Sequence, residues 1–219
     1  MAEKSLSSPS TDVRLSNSAP HQLLTPPTNS EQMQQPQILI TQETSHEHIF
    51  CTFTTNTAWT LGTALRTRIL SLPAGQRKPA LISIAHATAT TGGGPLHVVF
   101  QCATESGTIP DNENWVRRKR NTVLRWGVSS WAMRQKTVAG LSADATAADI
   151  ESAFVKKYAL ASANGGAVAD EYAIHGGAYP IRVRGVEGIV AVVVVSGLKQ
   201  EDDHQVVAET VREIVGQGH

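Results

Sequence analysis

The chain has 219 residues, with 19 Lys and Arg against 19 Asp and Glu, a length that fits one domain or one domain with an appendage. Balanced charge gives no global field for a nucleic-acid backbone or an anionic membrane. The two cysteines, Cys51 and Cys102, are too few for a disulfide scaffold, and the longest apolar run, the seven residues Ile189–Val195, falls short of the roughly 20 that a membrane helix needs. No charged-then-apolar leader follows Met1, so a cytosolic protein with no nucleic-acid and no membrane partner is expected.

Charge is uneven along the chain. Met1–His48 carries two basic and five acidic side chains, whereas Asp111–Lys136 carries seven basic and two acidic ones. Residues 1–45 are rich in Ser, Thr, Pro and Gln and contain no aromatic residue. Such a stretch has too little apolar surface to offset the entropy of ordering it, and Pro20, Pro26, Pro27 and Pro36 interrupt regular structure. A disordered tail over 1–45 and a folded domain over 46–219 are therefore expected, the tail with a short apolar patch at Ile38–Ile40.

Within the domain, Ala58, Leu61, Leu65 and Ile69 recur at helical spacing over Thr57–Leu70. Ala80–Ala87 and Pro95–Ala103 are short apolar runs separated by a Gly-Gly-Gly turn, which predicts an antiparallel hairpin. Cys102 closes the second run and reads as a buried reduced thiol. His86 and His97 flank the turn of this hairpin. A metal pair there is conceivable, although no zinc-type ligand spacing accompanies it. Asp111 opens a long helix after Pro110, with Trp115, Val116, Val123, Trp126 and Trp131 as its apolar set and a bend expected at Gly127 and Ser129-Ser130.

A second amphipathic segment follows from Asp144, with Ile150, Phe154, Val155 and Tyr158 on one face, and Ala163–Ala169 reads as a Gly/Ala loop. Ala173–Val183 and Gly188–Ser196 form a second hairpin turned at Arg184-Gly185. The valine-rich strand lacks polar alternation, so both its faces must be covered and it belongs in the middle of the sheet. Glu201–Val215 is a closing helix, with Val207, Val211, Ile214 and Val215 in register and three acids in its first turn. The order predicts an α+β domain with a largely antiparallel sheet flanked by helices.

Three clusters carry candidate chemistry. The first is Trp115-Val116-Arg117-Arg118-Lys119-Arg120-Asn121-Thr122. Guanidinium forks on a helix can hold a carboxylate or phosphate, and the same run equally serves as a solvated face or a subunit interface. The second is His175-Gly176-Gly177-Ala178-Tyr179-Pro180, where two glycines permit close backbone approach beside an imidazole. That histidine could ligate a metal or haem iron, move a proton, or simply be a hydrogen-bonded structural residue. The third is Ser196-Gly197 through Asp203-His204, a strand-to-helix turn where backbone donors converge. Asp203 and His204 are adjacent on a helix and so point about 100° apart; Asp203 is not expected to orient His204. No nucleophile elbow, phosphate loop, dinucleotide fingerprint or zinc spacing is present, so no catalytic residue and no metal site is assigned.

The strings WVRRKRNTVLRWGVSSW, YAIHGGAYPIRV and GIVAVVVVSGLKQEDDHQVV, in this order, resemble the HbpS/GlcG-like proteins often labelled "haem-degrading domain", and within them the uncharacterised cytosolic branch of bacteria and fungi. The likeness runs from about His46 to Val215. The resemblance implies a profilin-like fold, a central antiparallel sheet with helices on its faces, and assembly into dimers or larger rings. It also implies binding of a small ligand, with haem one candidate, and brings no axial ligand with it. Trp115, Arg118, Lys119, Asn121, His175, Gly176, Gly177, Pro180, Ser196, Gly197, Asp203 and His204 match the branch's pattern. Three functions stay open at this point. The first is a small-ligand-binding oligomer in which Arg117, Arg118 and Lys119 hold an anion and His175 or His204 supplies a polar or metal-ligating contact. The second is a non-enzymatic scaffold or adaptor in a protein-targeting or quality-control pathway, recruiting a protein partner through the tail. The third is an enzyme with His175 as acid or base.

Overall fold

The computed structural model describes residues 29–87, 96–160 and 168–218. Five strands, β1 (Ile49–Phe50), β2 (Leu81–His86), β3 (Val98–Ala103), β4 (Ala178–Val183) and β5 (Ala191–Ser196), form one sheet in the order β1-β4-β5-β2-β3. Every pairing is antiparallel except β1 with β4. Among the described residues six α-helices accompany it: α1 (Asn29–Glu43), α2 (Thr55–Leu70), α3 (Pro110–Trp126), α4 (Ser130–Val138), α5 (Ala147–Lys157) and α6 (Gln200–Gly216). This is the profilin-like α+β arrangement, with helices on both faces of a central sheet.

The valine strand occupies the position that its composition requires. β5 lies between β4 and β2, and Val192–Val195 are wholly buried. Val193 and Val195 face α2 and α6, where they meet Leu61, Leu65, Val207 and Val211. Val192 and Val194 face the opposite way, onto Val116 and Val123 of α3. Each such side chain contributes about 1.5–3 kcal/mol through burial, so this strand anchors both layers at once. A third apolar cluster joins α4 and α5 through Met133, Ile150, Phe154, Leu160 and Ile174.

Both expected hairpins form, and Gly185 takes a left-handed backbone at the second turn. The Gly-Gly-Gly turn and most of Ala163–Ala169 lie outside the described residues. Gly127 closes α3, and Ser129 starts α4 by accepting the Ala132 amide, which realises the expected bend. β4 starts at Ala178 rather than Ala173. The five residues before it are held by α3 instead of by a strand, through the Ala173 amide donating to Arg118 O (3.2 Å) and the Thr122 hydroxyl donating to Ala173 O (2.8 Å). Cys102 is half-buried rather than buried, and burial pushes its thiol up.

Asn29–Glu43 departs from the expectation of a structureless tail: it is α1, a helix that runs through Pro36. Tertiary contacts explain it where composition does not. Pro36 and Leu39 are buried, α1 lies along α4, and the Ser129 amide donates to the buried Glu43 carboxylate (2.9 Å). Residues 1–28 of the proposed tail lie outside the described residues. Among the described residues, no helix is long and apolar enough to cross a membrane.

Candidate functional site

α3 crosses the sheet so that its first half overlooks the end of β5, where Ser196-Gly197-Leu198 turns into α6. A cavity of about 460 Å³ opens there. Trp115 and Lys119 of α3, His175, the Ser196–Leu198 turn and Asp203 of α6 line it, and Lys78, Pro79 and Ile109 close its outer side.

The floor is an ion pair. Lys119 Nζ donates to Asp203 Oδ2 at 2.9 Å and to Val195 O at 3.1 Å, with the two side chains only 4% and 2% exposed. Asp203 Oδ1 accepts the Leu198 amide at 3.1 Å. Burial pushes the Asp203 carboxyl up, against the opposing pull of Lys119 and of the Leu198 and Gly197 amides. The turn's backbone donors, expected from the sequence to face a ligand, are thus committed to Asp203.

The glycines are what allow this floor to form. Gly177 has φ +115°, and a Cβ on it would run into Val195 O, the Asp203 Cβ (2.9 Å) and Lys119 Nζ (3.1 Å). A Cβ on Gly176 would strike Gln200 O. Gly197 sits equally tightly on the backbone of Pro79 and Ala80. The His-Gly-Gly signature therefore marks a close packing of the segment before β4 against the start of α6, and the Ser-Gly signature a close packing of the β5–α6 turn against the start of β2.

The wall is aromatic. The His175 ring lies edge-on to Trp115 with centroids 4.8 Å apart. Trp115 Nε1 donates to Asp111 Oδ2 (3.1 Å), and the Arg118 guanidinium sits 4.9 Å from the Trp115 ring centre. Burial, reinforced by the nearby Arg134, lowers the His175 pKa, so the imidazole is neutral at pH 7. His175 Nδ1 is buried with no partner among the described residues.

Other predicted site residues stand elsewhere. Arg117 pairs with Glu171, and Asn121 Nδ2 donates to Glu171 O (3.0 Å); both fasten the segment before β4 onto α3. Arg118 stacks on Trp115 and does not line the cavity. The expected Arg117–Arg118 anion clamp is therefore absent from the cavity. His204 is also outside it: the helical rotation that aims Asp203 at Lys119 turns His204 toward Trp131 and Tyr179, with centroids 6.1 and 6.0 Å away. Burial pushes the His204 pKa down to about 4. Lys78, Ile109 and Asn112 belong to the cavity and were not singled out from the sequence. Asn112 ties the α3 start to the turn, accepting the Ile109 amide (2.8 Å) and donating to Ser196 O (3.3 Å).

A family model described as "Haem degrading protein HbpS-like" matches residues 53–212, a span that contains the whole cavity lining. The chain belongs to the HbpS-like family. A UPF0303 protein of Sinorhizobium medicae is 38% identical over 167 residues, covering 76% of this chain and 83% of its own. A UPF0303 protein of Streptomyces coelicolor is 31% identical over 182 residues, covering 83% and 96%. Among solved structures, the crystal structure of Ybr137w protein superposes with a TM-score of 0.65 at 28% identity, covering 83% of this chain and 88% of that one.

Proposed function

We propose that the chain binds a small, flat, carboxylated molecule of the haem type in the cavity between α3, β5 and α6. The observation that carries this reading is the His175 imidazole edge-on to the Trp115 ring, its Nδ1 buried with no partner among the described residues, in a cavity with Lys78 at its rim. An aromatic wall with a few fixed polar groups and this volume is the usual form of a small-molecule site. The residues present suit an iron tetrapyrrole: a neutral imidazole is the protonation state that ligates iron, and Lys78 is placed to meet a carboxylate. Such a group would bring redox-active iron to the site when bound. The description of the family as haem-degrading supports the same ligand class.

The chain's own part is to hold and shield. Trp115 and Ile109 offer apolar surface, His175 offers a lone pair, and the Lys119–Asp203 pair keeps the floor rigid. A homo-oligomer belongs to this reading, supported by β3, whose outer edge is unpaired among the described residues and beside which Trp59 and Val98 remain 64% and 40% exposed. Light scattering on the intact protein tests the oligomer. Titration with ferric haem tests the ligand: the reading expects a Soret shift in the wild type and its loss or displacement in His175→Ala. A wild-type spectrum identical to free haem, or a His175→Ala spectrum identical to wild type, would overturn it.

A further inference from the structure

We propose that His86 and His97 form a second, separate site, a two-imidazole chelate for a divalent transition metal at the far end of the β2–β3 pair. From the Leu81–Ala103 pair to the Ile84–Phe100 pair, β2 and β3 keep one register. Between Ile84 and Ala85 the register shifts by one residue, so that Ala85 opposes Val98. In the unshifted register His86 would face Val98. The bulge places His97 opposite His86 instead, and the His86 amide donates to His97 O at 2.9 Å. Bulges commonly re-aim a side chain in this way.

Directly opposed residues of an antiparallel pair share a face. The two rings accordingly stand with centroids 5.2 Å apart and planes tilted by 45°. That separation matches joint ligation of one ion. Zinc lies about 2.0–2.1 Å from an imidazole nitrogen, hence about 3.2 Å from the ring centre, and two such rings at a tetrahedral angle stand about 5.2 Å apart. His97 is exposed and His86 half-buried, so an ion has access. No side-chain hydrogen bond among the described residues occupies either ring.

Imidazole donors select zinc, copper or nickel over magnesium or calcium. No third His, Cys, Asp or Glu gathers with them among the described residues. The ion's remaining positions are thus open to water or to an oxygen or nitrogen ligand, the arrangement of a metal that meets another molecule rather than one that only braces the fold. β2 spans six residues, so this site lies about 17 Å along the strand from the Leu81 end beside the cavity. It is independent of the cavity reading.

The test is a zinc titration of the full chain, followed by NMR of the histidine ring signals, with His86→Gln and His97→Gln as variants. Both residues lie at the strand ends outside the apolar core, and circular dichroism of each variant confirms the fold. The proposal expects the His86 and His97 signals to move together with one equivalent of zinc. Each single variant should weaken binding at least tenfold and abolish the shift of the remaining partner. Shifts confined to other histidines, or a His97 signal that responds equally in His86→Gln, would mean adventitious binding and overturn the proposal. Loss of haem binding with intact zinc binding would refute the cavity reading alone.

Discussion

Replacing Asp203 with alanine isolates the floor of the cavity. The substitution leaves the Lys119 ammonium, 4% exposed, with Val195 O as its one remaining acceptor among the described residues, and strips the Leu198 amide of its own. Removing one partner of a buried pair costs about 3–5 kcal/mol, because the remaining charge is neither hydrated nor compensated. Against a typical total of about 5–15 kcal/mol, that is a large fraction. For a chain of this size it lowers the melting temperature by roughly 6–20 °C. The double variant Lys119→Met/Asp203→Leu removes both charges and should recover most of the loss. Urea unfolding of wild type, single and double variants measures these terms. A single variant within about 1 kcal/mol of wild type, or a double variant worse than the single, would refute the buried-pair reasoning.

Other consequences are equally direct. Gly177→Ala forces a Cβ into Val195 O at a left-handed backbone position and should cost upward of about 2 kcal/mol in the same unfolding assay. His204 has a folded pKa of about 4, below its ordinary value of 6.5, so the unfolded chain binds the proton first. Its contribution to stability is intact above about pH 6.5 and lost as pH falls toward 4. Acidification from about pH 7 to pH 5 therefore costs roughly 2 kcal/mol through this residue. In His204→Phe the acid limb of a pH series of melting curves should shrink by about that amount, leaving what His48 and His175, both also lowered by burial, contribute in the same sense. Glu43→Ala strips the buried Ser129 amide of its acceptor and should destabilise by about 1–3 kcal/mol, with faster hydrogen exchange along α1. Arg117→Ala should leave haem affinity within about twofold, because that guanidinium is committed to Glu171 and its surface pairing is worth at most about 1 kcal/mol.

Much of the fold was legible because local patterns agreed with the global arrangement. The unbroken valines of β5 demanded a two-faced burial that only a central strand provides, and Gly127 with Ser129 punctuated α3 and α4 as capping chemistry requires. α1 was missed because its support is a carboxylate reaching Ser129, 86 positions away, and not its own polar, proline-containing sequence. At the site, Trp115, Lys119, His175, Ser196, Gly197 and Asp203 were all named from the sequence and all line the cavity. What the pattern could not reveal was their division of labour. Lys119 and Asp203 lie 84 positions apart, so a charge run on a helix and an acid in a helical first turn looked like separate features. Arg117 and His204 belonged to the same sequence clusters, yet one helical step points each of them at a structural partner instead.

The account rests on the wall formed by Trp115 and His175, and the most direct measurement is a residue-resolved NMR titration of the protein with ferric haem. The account predicts that the Trp115 indole N–H signal and the amides of His175, Gly197 and Leu198 shift or broaden first, while those of Arg117, Glu171 and His204 hold still. Perturbations centred on the α2–α6 face, or spread evenly over the molecule with no effect at Trp115, would contradict it.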